Sequence, residues 1–586
     1  MKKHILTCFL ASLCLYGSTL LAQVADSPGA DFLHRLRPTV SFGFGDTHRG
    51  GEIRSDTLPE KSGLVDHSGI KGQESEDSSA AVGGFFTLKG ELSPNPHSGS
   101  SWSYRLSERE IDPYFKIAEV LSDSILVQRG DFYAGTSGKE VFELRIPVQE
   151  PFGRFTLKEG GKALIEDLWV QPGDSLLLHW DQKNGHLFFS GPDALQARIQ
   201  MQLQAIARSE ASKTNPVMIL SNVDGMLNTP AKKERYGEAV SAYMPGWSRH
   251  MEWLDTDESR LARATGLFAS ASGLHPVFQE LEREKDRLPA ALYVWLKGYW
   301  TGILMKSPLE FIQIAKPGSA EWANLIMKHS REEDLAEEWD TWTFAPASLV
   351  ESLYLEKKLL SDLLPVSFLH LTDSMPSPLQ DQVNALFLIR NYKNMNQADS
   401  LFAAVLPTVQ SPVIAQKLDG LYRSNLRGSD FPEFAFEDAT GTKIYPDEWE
   451  GKLVFMDFWL SGCGACLSFA KENFFPLMEA FKDHRDVLFV TVSGDSRQEL
   501  WKKSLASGKY TSDQSINLFS GGTDHPTLRQ NMIRSFPAQL LLDREGKILQ
   551  TGNFPDDTKG WIDLIDSYLP DSNSQHNLSD SKPKAQ

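Results

Sequence analysis

Apolar and polar positions change their rhythm three times along this 586-residue chain. Over 84–192 they alternate, or gather in short β-branched and aromatic runs: FFTLKGEL, SILVQRGDF, VFELRIPV, GRFTLKEG and LHWDQKNGHLFFSG. Turn residues separate these runs, in PNPHSG, AGTSGK, EGGK, QPGD and KNG. A period of two interrupted by turn chemistry predicts a β-rich domain, a small antiparallel sandwich or sheet. Over 193–427 the spacing becomes helical, in ALQARIQMQLQAIA, YGEAVSAYMPGWSRHMEWL, LPAALYVWLKGYWTGIL, ESLYLEKKLLSDLL, LQDQVNALFLIRNY and ADSLFAAVL. MPSP and PTVQSP break it. This predicts an α-helical middle domain whose Trp, Tyr and Met residues are core.

Over 428–570 the pattern changes again. KLVFMDFWL and DVLFVTVSG are unbroken apolar runs, as central strands covered on both faces require. ACLSFAKENFFPLMEAFKDH between them has helical spacing. SDFPEFAFEDATGTKIYPDEW reads as a first strand and hairpin, and AQLLLDREGKILQTGNF as a second hairpin turning at Arg544–Lys547. WIDLIDSYL closes the domain as a helix. Strands alternating with helices make this third domain α/β.

The ends carry other signals. Lys2 and Lys3 precede an apolar run from Ile5 to Ala22. A charged start and a short apolar stretch predict a signal peptide over 1–22 and an exported chain; an uncleaved membrane anchor is the alternative. Residues 26–80 are rich in Gly, Ser, Asp and Glu without periodicity and are expected to be a disordered linker. The polar stretch 571–586 is expected to be a flexible tail. The chain has 59 basic and 77 acidic residues, a net charge of −18, which argues against a nucleic-acid partner or an anionic membrane surface.

The four cysteines decide the chemistry. Cys8 and Cys14 fall in the signal segment, which leaves Cys463 and Cys466 as the only pair in the mature chain. C-x-x-C serves either zinc or redox exchange. Zinc needs about four ligands, and His484 and His525 are isolated in sequence, so no metal and no cofactor are expected. A staple closing so short a loop constrains little of the unfolded chain. Exchange remains. Cys463 opens a helix, where free N–H groups favour the attacking thiolate, and Cys466 lies one turn on, placed to resolve a mixed disulfide. Asp457, in the apolar run VFMDFW, is expected to be buried, with a raised pKa, and to take and return the proton of Cys466. Pro537, before a strand in RSFPAQLLLD, is a candidate cis-proline, or else an ordinary first-strand proline.

Together these residues resemble the thioredoxin superfamily. D-F-W-L-S-G-C-G-A-C at Asp457–Cys466 is similar to the D-F-W-A-x-W-C-G-P-C of thioredoxins. The segments DFPEFAFEDATGT and DREGKI are closer to the TlpA/ResA-like branch of bacterial envelope thiol–disulfide oxidoreductases. The resemblance covers about a quarter of the chain. It implies a C-terminal thioredoxin-like fold and a periplasmic or envelope location. It also implies protein disulfides as substrates and a membrane-borne electron donor. It adds Trp459, Phe536 and Pro537 as substrate-binding residues, with Phe536 presenting backbone to a bound peptide. Two departures stand out: Gly462 where the family carries Trp, and Ala465 where it carries Pro. A peroxiredoxin-like peroxidase is one alternative, although Leu460 stands where that chemistry uses Thr. A binding protein with an accessory redox domain is another.

Overall fold

The computed structural model describes residues 83–569 apart from 94–100, 113–114, 117–119, 133–138, 220–226, 235–251, 316–319, 333–334, 336–341, 395–397, 426 and 433. The expected signal peptide (1–22), linker (26–80) and tail (571–586) lie outside the described residues. The chain divides into two compact units. One holds the described residues of Leu21–Glu108 and Ala118–Ile206, the other those of Arg109–Ile117 and Ala207–Gln586.

The strands in chain order begin β1 (Gly84–Ser93), β2 (Trp102–Ser107), β3 (Glu110–Asp112), β4 (Phe115–Lys116), β5 (Leu121–Ile125) and β6 (Gln128–Arg129). They continue with β7 (Glu140–Val148), β8 (Gly153–Glu159), β9 (Lys162–Val170), β10 (Ser175–Asp181) and β11 (His186–Ser190). The first unit is a sandwich of a five-stranded sheet, β11-β10-β1-β7-β6, and a four-stranded sheet, β5-β2-β8-β9. The period of two does what it predicts: Phe86, Leu88 and Leu92 of β1 point inward with Phe142 and Ile146 of β7 to meet Leu106, Phe155 and Leu157 of the other sheet. The antiparallel expectation fails at one pair. β1 and β10 run parallel, with Thr87 opposite Ser175. Turn residues fix direction only between neighbours in sequence, and the chain passes through the second sheet between β1 and β10.

The compact units are drawn differently from the expected boundaries. Residues 193–206 go with the sandwich, because Gln200 and Gln204 on the helix Ala194–Lys213 bond the backbone of β9. Gln200 exchanges two hydrogen bonds with Trp169, each 2.9 Å, and Gln204 donates to the Glu166 carbonyl at 2.7 Å. Residues 109–117 go with the second unit, and the helical and α/β regions form that unit together.

The helical region follows the predicted segments in Ala290–Ala315, Ala347–Leu363, Ser377–Asn391 and Ala398–Val405, and adds Pro412–Asn425. Trp295, Trp300, Trp322 and Trp342 are buried in it. A Cβ on Gly302 would lie 2.2 Å from the Leu349 nitrogen, so the first two of these helices touch backbone to backbone there. One expected helix is corrected in part. Of YGEAVSAYMPGWSRHMEWL, residues 236–251 lie outside the described residues, and Glu252–Leu254 is a strand, β13, parallel to β12 (Val217–Ile219). Glu-Trp-Leu is too short for periodicity to separate helix from strand. No described helix is long and apolar enough to cross a membrane.

The α/β region contains β14 (Phe436–Glu437), β15 (Lys443–Ile444), β16 (Leu453–Trp459), β17 (Val487–Ser493), β18 (Ile516–Phe519), β19 (Ala538–Leu542) and β20 (Ile548–Gln550). Their order in the sheet is β15-β14-β18-β17-β16-β19-β20. β16 lies between β17, parallel to it, and β19, antiparallel. Every residue of β16 is buried, as its unbroken apolar run requires. Val454, Met456 and Phe458 pack on one face with Val490, Val492 and Leu540. Leu453 and Phe455 pack on the other with Phe474, Trp561 and Ile565.

Candidate active site

Alternation along β16 puts Asp457 and Trp459 on the same face as Leu453 and Phe455. The strand ends at Trp459, the chain turns through Leu460–Gly462, and the helix Gly464–Phe469 begins. Cys463 is its N-cap residue and forms a disulfide with Cys466, with Cα atoms 5.3 Å apart. Cys466 is buried at 1% exposure, while Cys463 is half-buried between exposed Gly462 and Gly464. The sulfur of Cys463 is therefore the reachable one. The Cys466 N–H points at it from 3.0 Å. The Phe536 carbonyl oxygen lies 3.5 Å from the same sulfur, and the Phe536–Pro537 peptide is cis. Phe536 and Pro537 are both half-buried.

Asp457 is 1% exposed and sits opposite Gln539 of β19, whose side-chain amide donates to it at 2.8 Å. Burial pushes its carboxyl up to about 8, against the smaller downward pull of the Gln539 hydrogen bond.

Trp459 departs from its expected part. It is fully buried and stacks on Tyr510 with ring centroids 4.7 Å apart, packed with Cys466, Trp501 and Phe519. It packs against Cys466 and presents no surface to a substrate. The resemblance assigned it by its letter, whereas the inward register of β16 sets where it points. His525 caps the helix Pro526–Gln530 by accepting from the Thr527 N–H, and its Nε2 meets the Ala435 carbonyl at 3.1 Å. His484 Nδ1 accepts from the Asp486 N–H at 3.4 Å.

The turn that carries Cys463 is held by residues the sequence reading did not single out. Asp495 accepts from the Ser461 hydroxyl at 2.5 Å, the Ser461 N–H at 3.2 Å and the Ser493 hydroxyl at 2.9 Å. The Tyr510 hydroxyl accepts from the Gly462 N–H at 2.9 Å. Gly462 has φ +84°, a left-handed conformation that disfavours any side chain. Gly494 lets the Phe536 ring close in: a Cβ there would lie 2.8 Å from it. Gln539 was findable, as the one amide in the apolar run AQLLL. Asp495, in VSGDS, reads as an ordinary turn residue.

No family model matches the chain. Among curated proteins, the thiol-disulfide oxidoreductase ResA of Bacillus subtilis (strain 168) is 26% identical over 155 residues, which is 26% of this chain and 77% of that protein. The region carrying the cysteine pair is a TlpA/ResA-like thioredoxin-superfamily region. Two solved structures are also similar to part of this chain. The thioredoxin domain of a thiol-disulfide oxidoreductase from Bacteroides vulgatus is 29% identical, with 24% of this chain and 99% of that one covered and a TM-score of 0.21. A thiol:disulfide interchange protein from Bacteroides sp. is 27% identical, with 26% and 98% covered and a TM-score of 0.23. The likeness accounts for about a quarter of the chain.

Proposed function

We propose that this chain is an exported thiol–disulfide oxidoreductase that reduces protein disulfides in the periplasm or cell envelope. The enzyme class, disulfide oxidoreductase, goes with the thioredoxin-like region. The observation that carries the exchange mechanism is the asymmetry of the pair: Cys463 is half-exposed beside the Phe536 carbonyl, and Cys466 is buried.

In the reduced protein the Cys463 thiolate attacks one sulfur of the substrate disulfide. A mixed disulfide forms and the other substrate sulfur leaves as a thiolate. The Cys466 N–H, already aimed at the Cys463 sulfur, stabilises negative charge there. Cys466 then loses its proton and attacks the Cys463 sulfur, which releases the second substrate thiol and forms the Cys463–Cys466 disulfide. Two electrons pass from the dithiol to the substrate. Asp457, pushed up to about 8 by burial, holds and releases its proton near neutral pH, which suits it to take and return the proton of Cys466. Phe536 and Pro537 form the platform for the substrate peptide. A membrane-borne donor returns two electrons and two protons to reset the pair.

Trapping tests the reading. In Cys466→Ser, mixed disulfides on Cys463 should persist and be recovered with their protein partners after acid quench. Absence of any adduct overturns the exchange mechanism. The equilibrium of the pair against glutathione tests the direction, because a strongly oxidising potential overturns the reductase assignment.

A further inference from the structure

The segment leading to Phe536 is held by residues far from the cysteines in sequence. All of them belong to the second compact unit. Asn425, at the end of the helix Pro412–Asn425, donates its side-chain amide to the Gln530 carbonyl at 3.0 Å and is itself fixed by the Tyr392 hydroxyl at 3.0 Å. Lys393 donates to the Asn531 carbonyl and, at 3.3 Å, to the Met532 carbonyl. Arg534 pairs with Asp112 at 3.2 Å. Asp112 is 3% exposed and also receives Arg390 at 3.1 Å; Arg390 pairs on with Glu351 at 2.8 Å. Within the gripped stretch Met532 has φ +48° although it carries a side chain. Such a conformation persists only where the surroundings over-determine it, and here three carbonyls and a guanidinium are fixed from outside. Two residues beyond Arg534 comes Phe536, whose carbonyl meets the Cys463 sulfur at 3.5 Å.

We infer that Lys393, Asn425 and Asp112 are positioning residues for disulfide exchange: through the 530–536 segment they set where Phe536 and Pro537 hold a substrate peptide over Cys463. This rests on the redox reading above. It gives the helical region a part in substrate handling, for which a linker or a separate binding module would need no such grip. Peptide disulfides, which lie along the Phe536–Pro537 backbone, should feel the grip. A small symmetric disulfide, which needs only the Cys463 sulfur, should not.

The experiment uses the full chain and two disulfides, insulin and hydroxyethyl disulfide, with circular dichroism and thermal melting as folding checks. For Lys393→Met and Asp112→Asn, the ratio of the insulin rate to the hydroxyethyl disulfide rate should fall about tenfold, a modest share of what a 1 Å misplacement costs. Asn425→Ala, which removes the bonds to the Gln530 and Leu421 carbonyls and from the Tyr392 hydroxyl but leaves no buried charge unpaired, is the variant that decides if the other two fail to fold; its ratio should fall roughly threefold. Loss of packing alone would lower both rates together and leave the ratio in place. A ratio within about twofold of wild type in every folded variant overturns the inference. A wild-type protein that reduces neither disulfide overturns the redox reading, and the inference with it.

Discussion

Asp457→Asn isolates one buried proton. The carboxyl is enclosed on β16 and rises from an ordinary 3.8 to about 8. That is about four decades in proton affinity, or at most about 6 kcal/mol at 1.36 kcal/mol per decade. The folded protein keeps the proton across a range where the unfolded chain gives it up. Between pH 3.8 and 8 the native state therefore binds more protons than the unfolded state, and this group lowers stability as pH rises through that window. Below 3.8 it costs nothing, and above 8 the cost is complete. Asn has the same shape, cannot ionise, and still offers an oxygen to Gln539. The variant should match wild type near pH 4 and gain on it by about 1.4 kcal/mol per pH unit up to pH 8. A chain of two compact units is a poor two-state system, so the measurement should be local. Hydrogen-exchange mass spectrometry on the Leu453–Trp459 peptides, with the disulfide intact, reads the opening free energy at pH 5, 6, 7 and 8. The two curves should diverge. Parallel curves would refute the raised carboxyl and, with it, the acid–base part given to Asp457. The variant should also close its mixed disulfide about a hundredfold more slowly, as loss of a general acid–base group predicts.

Three further changes probe the frame. Gly494→Ala places a Cβ 2.8 Å from the Phe536 ring and 3.3 Å from Leu460, so Phe536 should shift; the expected cost is about 1–3 kcal/mol in chemical denaturation, with slower insulin reduction, and unchanged kinetics would count against Phe536 as platform. Gly462→Ala forces a side chain into φ +84° at a site with open space around it, so it should lose about 1–2 kcal/mol from backbone strain alone, and a neutral result would show that the turn relaxes. Trp459→Ala removes a fully buried ring from under Cys466 and should cost about 3–5 kcal/mol, whereas a surface substrate contact would leave the melting temperature unmoved.

Periodicity was most informative where burial was complete. β16 and β17 were legible because a strand covered on both faces leaves few polar positions to interrupt it; the exceptions, Asp457, Thr491 and the terminal Ser493, are all buried. β18 was not singled out, since Ile516–Phe519 is four residues long with an asparagine in its middle; that Asn517 accepts from the Thr491 hydroxyl at 2.8 Å, a cross-strand reason that only the pairing reveals. In the sandwich, local alternation was readable, while the parallel β1–β10 pair depends on contacts between residues 88 positions apart, as Thr87 and Ser175 are. The site divides the same way. Cys463, Cys466 and Asp457 announce themselves by letter and setting. Asp495, Tyr510 and Gly494 act through bonds made across the fold, and their letters look ordinary in sequence.

The two departures from the thioredoxin motif bear on where selectivity resides. At Gly462 the left-handed backbone and the N–H given to Tyr510 fix the turn without a side chain, and a Cβ there would point into open space. Gly464 is exposed, and Ala465 is small. No large side chain from these three positions covers the Cys463 sulfur. In the proposed exchange, a substrate meeting that sulfur is constrained chiefly by Phe536 and Pro537, whose backbone lies beside it. Those two lie at the end of the stretch that Lys393, Asn425 and Asp112 hold. An open motif and a gripped platform are complementary, because freedom given up on one side of the sulfur is supplied as order on the other. Restoring bulk beside the cysteine should then lessen dependence on the grip. In Ala465→Pro the ratio of insulin to hydroxyethyl disulfide reduction should be less sensitive to Asn425→Ala than in wild type. Equal sensitivity in both backgrounds would mean that the two sides of the site act independently.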